Sequence, residues 1–184
     1  MTPSILAFLY SDGIAADRVL ADLGYSLRDS GVNVGGLVQR NTFVRDRAKC
    51  DMEVEELLSG EIFRISEFRG SQAQGCRLDR GALAQAAHLL ADAVARGPSL
   101  LIINKFGKVE AEGGGLRDII ATAAAAEIPI LIGVPFRNLD QWRMFTAGLA
   151  EEAHSYFEVA TWLERHRFAI PTIEMPSTRL SVGV

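Results

Sequence analysis

The sequence predicts a three-layer α/β fold, in which a mainly parallel β-sheet is covered by helices on both faces. Short, uniformly apolar runs alternate along the chain with longer segments whose apolar residues recur at helical spacing. The apolar runs also lack the in–out alternation of a half-exposed strand, which is typical of parallel strands buried on both faces. The 184 residues are enough to enclose a well-buried core.

Four of the apolar runs are predicted to be neighbouring parallel strands of this sheet. Each is short and is followed by a polar or glycine-containing turn, such as Ser11-Asp12-Gly13 after the first run. Gly35 and Gly36 weaken the second strand, because glycine adds no side chain to the packing. The predicted strands are residues 4–10, 32–38, 99–103 and 128–134.

Helices are predicted between and after these strands, from apolar residues that recur three and four positions apart. Asp79 and Asn138 stand where N-caps are expected, and Gly31 stands where the first helix is expected to end. The tail from Pro171 onward is expected to be loosely ordered. The predicted helices are residues 15–29, 79–96, 116–126, 138–149 and 157–167.

Residues 40–80 interrupt this alternation with an irregular, hairpin-like excursion. Strand-like pieces occur at residues 50–54 and 62–67, and Ser59-Gly60 favours a turn between them. Either a hairpin or an excursion away from the main sheet fits the pattern. Because the chain contains no repeat and no linker, residues 1–184 are expected to form a single domain.

Composition and charge argue against several classes of protein. A net charge of −4 and a pI near 5.4 do not suit a broad nucleic-acid-binding surface. The N-terminal apolar run lacks the basic start of a secretory signal, and no apolar run is long enough for membrane insertion. Two cysteines do not make a disulfide framework, so a cytoplasmic location is expected.

The loop after the first strand is the first candidate site, because ligands of parallel sheets bind beyond the carboxyl ends of the strands. The N-terminus of the following helix favours an anion there, whereas two nearby carboxylates oppose one. A capped turn without a ligand is the simpler interpretation. The candidate ligand-binding residues of this loop are Ser11, Asp12, Gly13 and Asp17.

The loop of residues 104–117 places polar side chains after a buried strand and three consecutive glycines before a helix. Glycines carry an entropic cost that a simple connector does not require, and two lysines near the helix start favour an anion. We therefore favour a ligand or partner site here over a mobile connector. Its candidate ligand-binding residues are Asn104, Lys105, Gly107, Lys108, Glu110, Gly113, Gly114, Gly115 and Arg117.

Three motifs carry a resemblance to a known family. Residues 104–111 read Asn-Lys-Phe-Gly-Lys-Val-Glu-Ala, residues 50–52 read Cys-Asp-Met, and residues 75–79 read Gly-Cys-Arg-Leu-Asp. Over nearly the whole chain, the sequence resembles a bacterial family without a settled activity. Its members are sometimes labelled nucleoside-triphosphatase-like or molybdenum ABC transporter ATP-binding proteins. The resemblance implies a sheet of the P-loop nucleotide-hydrolase type and a link to molybdate handling.

The resemblance also implies a degenerate phosphate loop. A working loop reads Gly-x-x-x-x-Gly-Lys-Ser/Thr, in which the lysine neutralises phosphate and the hydroxyl holds Mg²⁺. On that frame Tyr10 and Ala15 replace the glycines, Ala16 replaces the lysine, and Asp17 replaces the hydroxyl residue. Since phosphoryl transfer relies on positioning and charge neutralisation by these groups, we expect no catalytic residues and negligible hydrolysis.

Residues 102–110 also resemble small P-loop nucleoside triphosphatases. This resemblance implies that an Asp that supports Mg²⁺ stands at the position of Asn104, and the catalytic Glu at that of Lys105. A lysine lost at Ala16 is thus matched by one gained at Lys105. We predict that the Lys105 ammonium lies close to the Asp17 carboxylate or the Asn104 amide oxygen, in the space that a P-loop enzyme gives to Mg²⁺. The alternative, in which these groups are simply solvated, stays open.

A smaller candidate site for an anion or a thiol function consists of Cys50, Gly75, Cys76 and Arg77. Arginine suits oxyanion recognition, whereas two cysteines are few for a metal site. Buried or incidental thiols are the alternative, and the sequence leaves open whether any metal is bound.

Three functions remain open at this stage. The first is a non-hydrolytic protein that binds a nucleotide or an oxyanion such as molybdate in molybdenum metabolism. The second is a nucleoside triphosphatase with an altered phosphate loop, and the third is a protein-interaction scaffold with an empty pocket. The expected partners are a small anionic ligand, and either a second copy of the chain or a transporter or cofactor-assembly protein. Nucleotide and molybdate are the two candidate cofactors.

Overall fold

A computed structural model describes residues 4–42, 51–67 and 77–169. Within these ranges a seven-stranded sheet lies between two layers of helices, so the predicted three-layer α/β fold is confirmed. The strands are β1 (Ile5–Tyr10), β2 (Val34–Thr42), β3 (Asp51–Glu56), β4 (Ile62–Arg64), β5 (Ser66–Glu67), β6 (Arg77–Leu78), β7 (Leu100–Ile103), β8 (Ile130–Pro135) and β9 (Glu151–Ala153).

The helices fall close to their predicted positions. Asp79 caps the second helix as predicted, because its carboxylate accepts hydrogen bonds from the first-turn N–H groups of Gly81 and Ala82. The helices are α1 (Gly13–Asp29), α2 (Arg80–Ala95), α3 (Lys108–Ala111), α4 (Arg117–Ala125), α5 (Leu139–Thr146) and α6 (Tyr156–Arg165), with a 3-10 helix at Phe136–Asn138.

The strands of the large sheet lie in the order β4-β3-β2-β7-β8-β1-β9. From β2 to β9 all neighbours are parallel, and the four strands predicted from apolar runs, β2, β7, β8 and β1, are adjacent. That prediction is confirmed. The reason is that each of these strands is buried on both faces, so its continuous apolar pattern reports its central position.

The excursion predicted at residues 40–80 includes an antiparallel extension of the same sheet. β2 continues past its pairing with β7, and β3 and β4 then add to it as antiparallel strands. The hairpin alternative is therefore the one observed for these strands, while β5 and β6 pair separately. Buried Glu56 holds the junction, because its carboxylate accepts hydrogen bonds from the N–H groups of Gly36, Leu58 and Ser59.

Two apolar clusters cover the two faces of the sheet. Helices α2, α4 and α5 pack on one face and helices α1 and α6 on the other. The strand residues alternate between the two clusters, as the period of two in a strand requires. Trp142 of α5 and Trp162 of α6 are fully buried, one in each cluster, where their large apolar surfaces stabilise the two helix layers.

Candidate functional site

The candidate loops meet at one edge of the sheet. Strands β7, β8 and β1 are parallel neighbours, so the loops at their carboxyl ends lie side by side. The helix after β1 lies on one face of the sheet and the helix α5 after β8 lies on the other. Where neighbouring connections diverge in this way, an α/β sheet opens a crevice at its carboxyl edge.

The side chain of Asp12 caps the N-terminus of helix α1. The carboxylate of Asp12 accepts hydrogen bonds from the N–H groups of Ile14 and Ala15, at 3.0 and 3.2 Å. The Ala16 N–H bonds to the Asp12 carbonyl oxygen. The expectation that this helix start offers its N–H groups to an anion therefore needs correction, because Asp12 already binds those of Ile14 and Ala15. Ser11 lies exposed beside it.

The predicted proximity of Lys105 and Asp17 is confirmed. The Lys105 Nζ lies 3.7 Å from the Asp17 Oδ1, an ion pair slightly longer than a hydrogen bond. The Asp17 side chain is only 6% exposed, whereas that of Lys105 is 36% exposed. The carboxylate is thus held largely out of water, whereas the lysine side chain is partly solvated.

Asn104 contacts the neighbouring strand β2. Its Nδ2 donates a hydrogen bond to the Oε1 of Gln39 at 3.1 Å, and both side chains are buried. Its amide oxygen accepts no hydrogen bond from the part of the chain that the structure describes. The alternative in which this oxygen binds the Lys105 ammonium is therefore not the one observed, and a buried acceptor remains at the site.

Tyr10 and Arg137 join this group from the ends of β1 and β8. Burial raises the pKa of Tyr10 to about 12, the negative charge of Asp17 raises it further, and the positive charge of Arg137 opposes the rise. The phenol is therefore a neutral hydrogen-bond donor at physiological pH. Arg137 is exposed in the 3-10 helix at Phe136–Asn138. Sequence reasoning missed it, although the same strand-end rule applied after β8 would have found it.

Glu110 organises the glycine-rich loop. Its buried carboxylate accepts hydrogen bonds from the N–H groups of Gly107 and Leu116, at 2.9 and 3.1 Å, and so ties the two ends of the loop together. Gly113 and Gly115 adopt positive φ angles of 99° and 62°. A Cβ on Gly115 would also lie 2.0 Å from the Glu110 Oε1. These requirements account for glycine at both positions without a ligand.

The other predicted residues of this loop are engaged in contacts within the chain. The Arg117 guanidinium donates to the Glu110 carbonyl oxygen and lies 4.4 Å from the ring centre of Phe145. Lys108 pairs with Glu112 one turn along the chain, at 3.7 Å in full solvent. Gly114 packs against Val109. Ligand binding by Lys108, Gly113, Gly114, Gly115 and Arg117 stays a prediction.

Phe106, the aromatic residue of the motif at residues 104–111, is part of the core. It is fully buried, and its ring contacts Trp142 and Phe145. The Phe106 N–H donates to the Gly133 carbonyl oxygen, and the Asn138 amide donates to the Phe106 carbonyl oxygen at 2.9 Å. Asn138 occupies the predicted N-cap position of α5, but its side chain makes no cap hydrogen bond and fastens the loop after β7 instead.

The smaller candidate site lies mainly outside the described residues. Cys50, Gly75 and Cys76 fall outside them, and Arg77 is described only as backbone of β6. Within residues 4–42, 51–67 and 77–169 the structure shows no cluster of three or more His, Cys, Asp or Glu side chains suited to a metal ion. In the same ranges no helix has the length and apolar character needed to cross a membrane.

Comparison with known proteins places the chain in a family. The sequence profile described as "Protein of unknown function (DUF2478)" matches residues 5–162. The chain belongs to the DUF2478 family. The chain is also similar to the protein named Molybdenum import ATP-binding protein ModC 2 of Bradyrhizobium diazoefficiens, which is 40% identical over 147 residues. The match covers 79% of this chain but spans only 16% of that relative's length. No solved structure matches.

Proposed function

We propose that this DUF2478 chain is a P-loop-type domain that binds a tetrahedral oxyanion at its carboxyl-edge crevice, without hydrolysing nucleotides, in a role connected with molybdenum uptake. The ion pair between Lys105 and Asp17 carries the proposal. On the P-loop frame, this ammonium stands in the space of Mg²⁺. A fixed positive charge therefore replaces an exchangeable metal ion.

A magnesium–triphosphate complex does not fit the groups present at the start of α1. The Asp12 carboxylate already binds two N–H groups that would face a phosphate, so a bound phosphate would meet a negative charge there. Ala16 supplies no lysine, and Asp17 is engaged with Lys105. These features support binding without phosphoryl transfer, which relies on such groups.

A small oxyanion suits the donors at the other side of the crevice. Asp17 balances the charge of Lys105, while Arg137 is exposed and close enough to Tyr10 to affect its pKa. The Arg137 guanidinium, the neutral Tyr10 hydroxyl and the Lys105 ammonium are three kinds of donor that bind oxyanions. The relative's printed name, which concerns molybdenum import, makes molybdate the first anion to test.

The test is a thermal-shift and calorimetric titration of the chain with molybdate, tungstate, sulfate, phosphate and Mg²⁺-ATP. Binding to the native state raises the unfolding midpoint, so we expect a saturable rise with molybdate or tungstate. Arg137→Ala should weaken this binding roughly tenfold, the scale of one charge-assisted hydrogen bond. Arg18→Ala is the matched control, because Arg18 is an exposed arginine on α1 that pairs with Asp22.

A phosphate-release assay with Mg²⁺-ATP and Mg²⁺-GTP completes the test. We expect no steady release above the buffer control. Steady release that Lys105→Ala or Asp17→Ala abolishes would show a nucleoside triphosphatase with an altered loop. If none of the anions raises the unfolding midpoint, the proposal that the crevice binds an oxyanion is wrong.

A further inference from the structure

Four neighbouring strand ends each expose one large apolar side chain. Val109 follows β7, Phe136 follows β8, Ile14 follows β1 and Phe157 follows β9. Their exposed fractions are 52%, 46%, 61% and 79%, in that order. These strands are consecutive in the sheet, so the four residues follow neighbouring strand ends at its carboxyl edge. This set of four residues is here called the carboxyl-edge rim.

The rim is wide compared with a small ligand. Three strand spacings separate β7 from β9, which is about 14 Å across the sheet. The ring centres of Phe136 and His154 lie 6.0 Å apart, so the loops after β8 and β9 contact each other across the end of β1. Single exposed apolar residues are ordinary, whereas several of them on neighbouring loops are typical of a surface that contacts a partner.

The charges around the rim are of both signs. Arg137 and Lys108 are exposed cations, and Asp12 and Glu112 are exposed carboxylates. Among the described residues Arg137 forms no ion pair with a carboxylate, while Asp12 lies on the next loop. A surface with an apolar centre and opposite charges on adjacent loops is complementary to itself, and it does not match a partner of one charge such as nucleic acid.

We infer that a second copy of this chain docks on the carboxyl-edge rim and forms a two-fold dimer. A two-fold axis through the rim brings Arg137 of each copy toward the Asp12 loop of the other. The interface then covers the crevice that holds Lys105 and Asp17, so that the two crevices face each other. The dimer itself does not depend on the proposed oxyanion binding; only the functional meaning of the facing crevices rests on it.

Sedimentation velocity of the whole chain over a range of concentrations tests the dimer. Phe136→Glu and Val109→Glu place a charge in the rim and should raise the dissociation constant of the dimer at least about tenfold, as loss of a central apolar contact does. Met144→Glu and Leu149→Glu are matched controls. Both residues are exposed and apolar, but they lie near the opposite edge of the sheet, at the end of α5 and before β9.

The expected result is a wild-type dimer that the rim variants dissociate and the control variants retain, with all variants showing native circular dichroism. A wild-type chain that sediments as a monomer at the highest concentration overturns the inference, and the rim then contacts some other partner. Rim variants as dimeric as the wild type overturn it too, as do controls that dissociate equally. If neither the wild-type dimer nor a dissociated Val109→Glu variant binds an anion, the proposed function alone is refuted.

Discussion

A single ion pair joins two of the elements that line the carboxyl-edge crevice. Asp17 lies on α1 and Lys105 follows β7, yet the parallel sheet brings their side chains within 3.7 Å. The buried carboxylate depends on the ammonium, because an uncompensated charge in a protein interior is destabilising. The pair therefore links the local stability of the fold to the site itself.

A double-mutant cycle on this pair is the prediction at the scale of residues. Lys105→Ala should lower the free energy of unfolding by about 1 kcal/mol or more, because it removes the ammonium beside the buried Asp17 carboxylate. The double variant with Asp17→Ala should recover part of that loss, with a coupling energy of about 1 kcal/mol. Urea unfolding of the four proteins gives the coupling energy directly.

Lys108→Ala is the control for this cycle, since Lys108 lies at the same 3.7 Å distance from Glu112 but in full solvent. We expect less than about 0.5 kcal/mol from its loss, as for exposed pairs on a helix. Strictly additive effects at positions 17 and 105 would mean that the two charges are screened by water and that the ion pair has no role.

At the scale of elements, the loop of residues 107–116 shows how one buried carboxylate shapes a segment. Glu110 binds the N–H groups at both ends of the loop, and Gly115 leaves room for it. The sequence pattern of this loop favoured a ligand site, because three glycines are costly in a plain connector. The structure accounts for Gly113 and Gly115 through backbone conformation and close approach instead.

The glycines of this loop allow a matched comparison. Gly113→Ala should destabilise the chain by about 1 kcal/mol, because alanine is strained at positive φ. Gly115→Ala should cost a further 1–3 kcal/mol, roughly the scale of overpacking, because its Cβ would clash with the Glu110 carboxylate. Thermal or urea unfolding measures both. Equal losses would indicate that Glu110 moves aside freely, against the role assigned to it.

The sequence missed elements whose signal is short or polar. Helix α3 is a single turn of four residues, too short for a helical period to show. Strand β9 reads Glu-Glu-Ala, and only its pairing with β1 makes it a strand. Edge strands are half-exposed, so they lack the apolar runs that identified the central strands. Long central elements were therefore predictable and short peripheral ones were not.

At the scale of the whole molecule, folding raises the pKa of all three tyrosines. Burial raises the pKa of Tyr10 to about 12 and raises that of Tyr156. Burial, followed by a hydrogen bond to the Glu55 carboxylate, raises the pKa of Tyr25 still further. In each case the folded chain retains a phenol proton that the unfolded chain releases near pH 10.

The pH dependence of stability follows from these shifts. Below pH 10 both states are protonated, so the contribution of the buried phenols is fully present. Between pH 10 and about 12 the unfolded state loses protons first, so the free energy of unfolding falls as pH rises. We expect absorbance at 295 nm to show few ionised tyrosines in the native chain at pH 10.5, and a sharp increase on adding urea.

Tyr10→Phe provides the control for this titration, because it should remove one late-titrating phenol and make the fall in stability with pH less steep. Native absorbance that already rises with a midpoint near pH 10 would contradict the burial of these phenols.

The sequence by itself determined the three-layer α/β plan, the four central strands and the absence of a lysine at position 16, in the first turn of α1. These features are local, because apolar periodicity and single residue identities report burial and chemistry directly. The tertiary structure decided the strand order, the placing of Arg137 near enough to Tyr10 to affect its pKa, and which acceptor Lys105 contacts. Such contacts join residues far apart in the chain, so they depend on how the whole sheet packs and not on any local pattern.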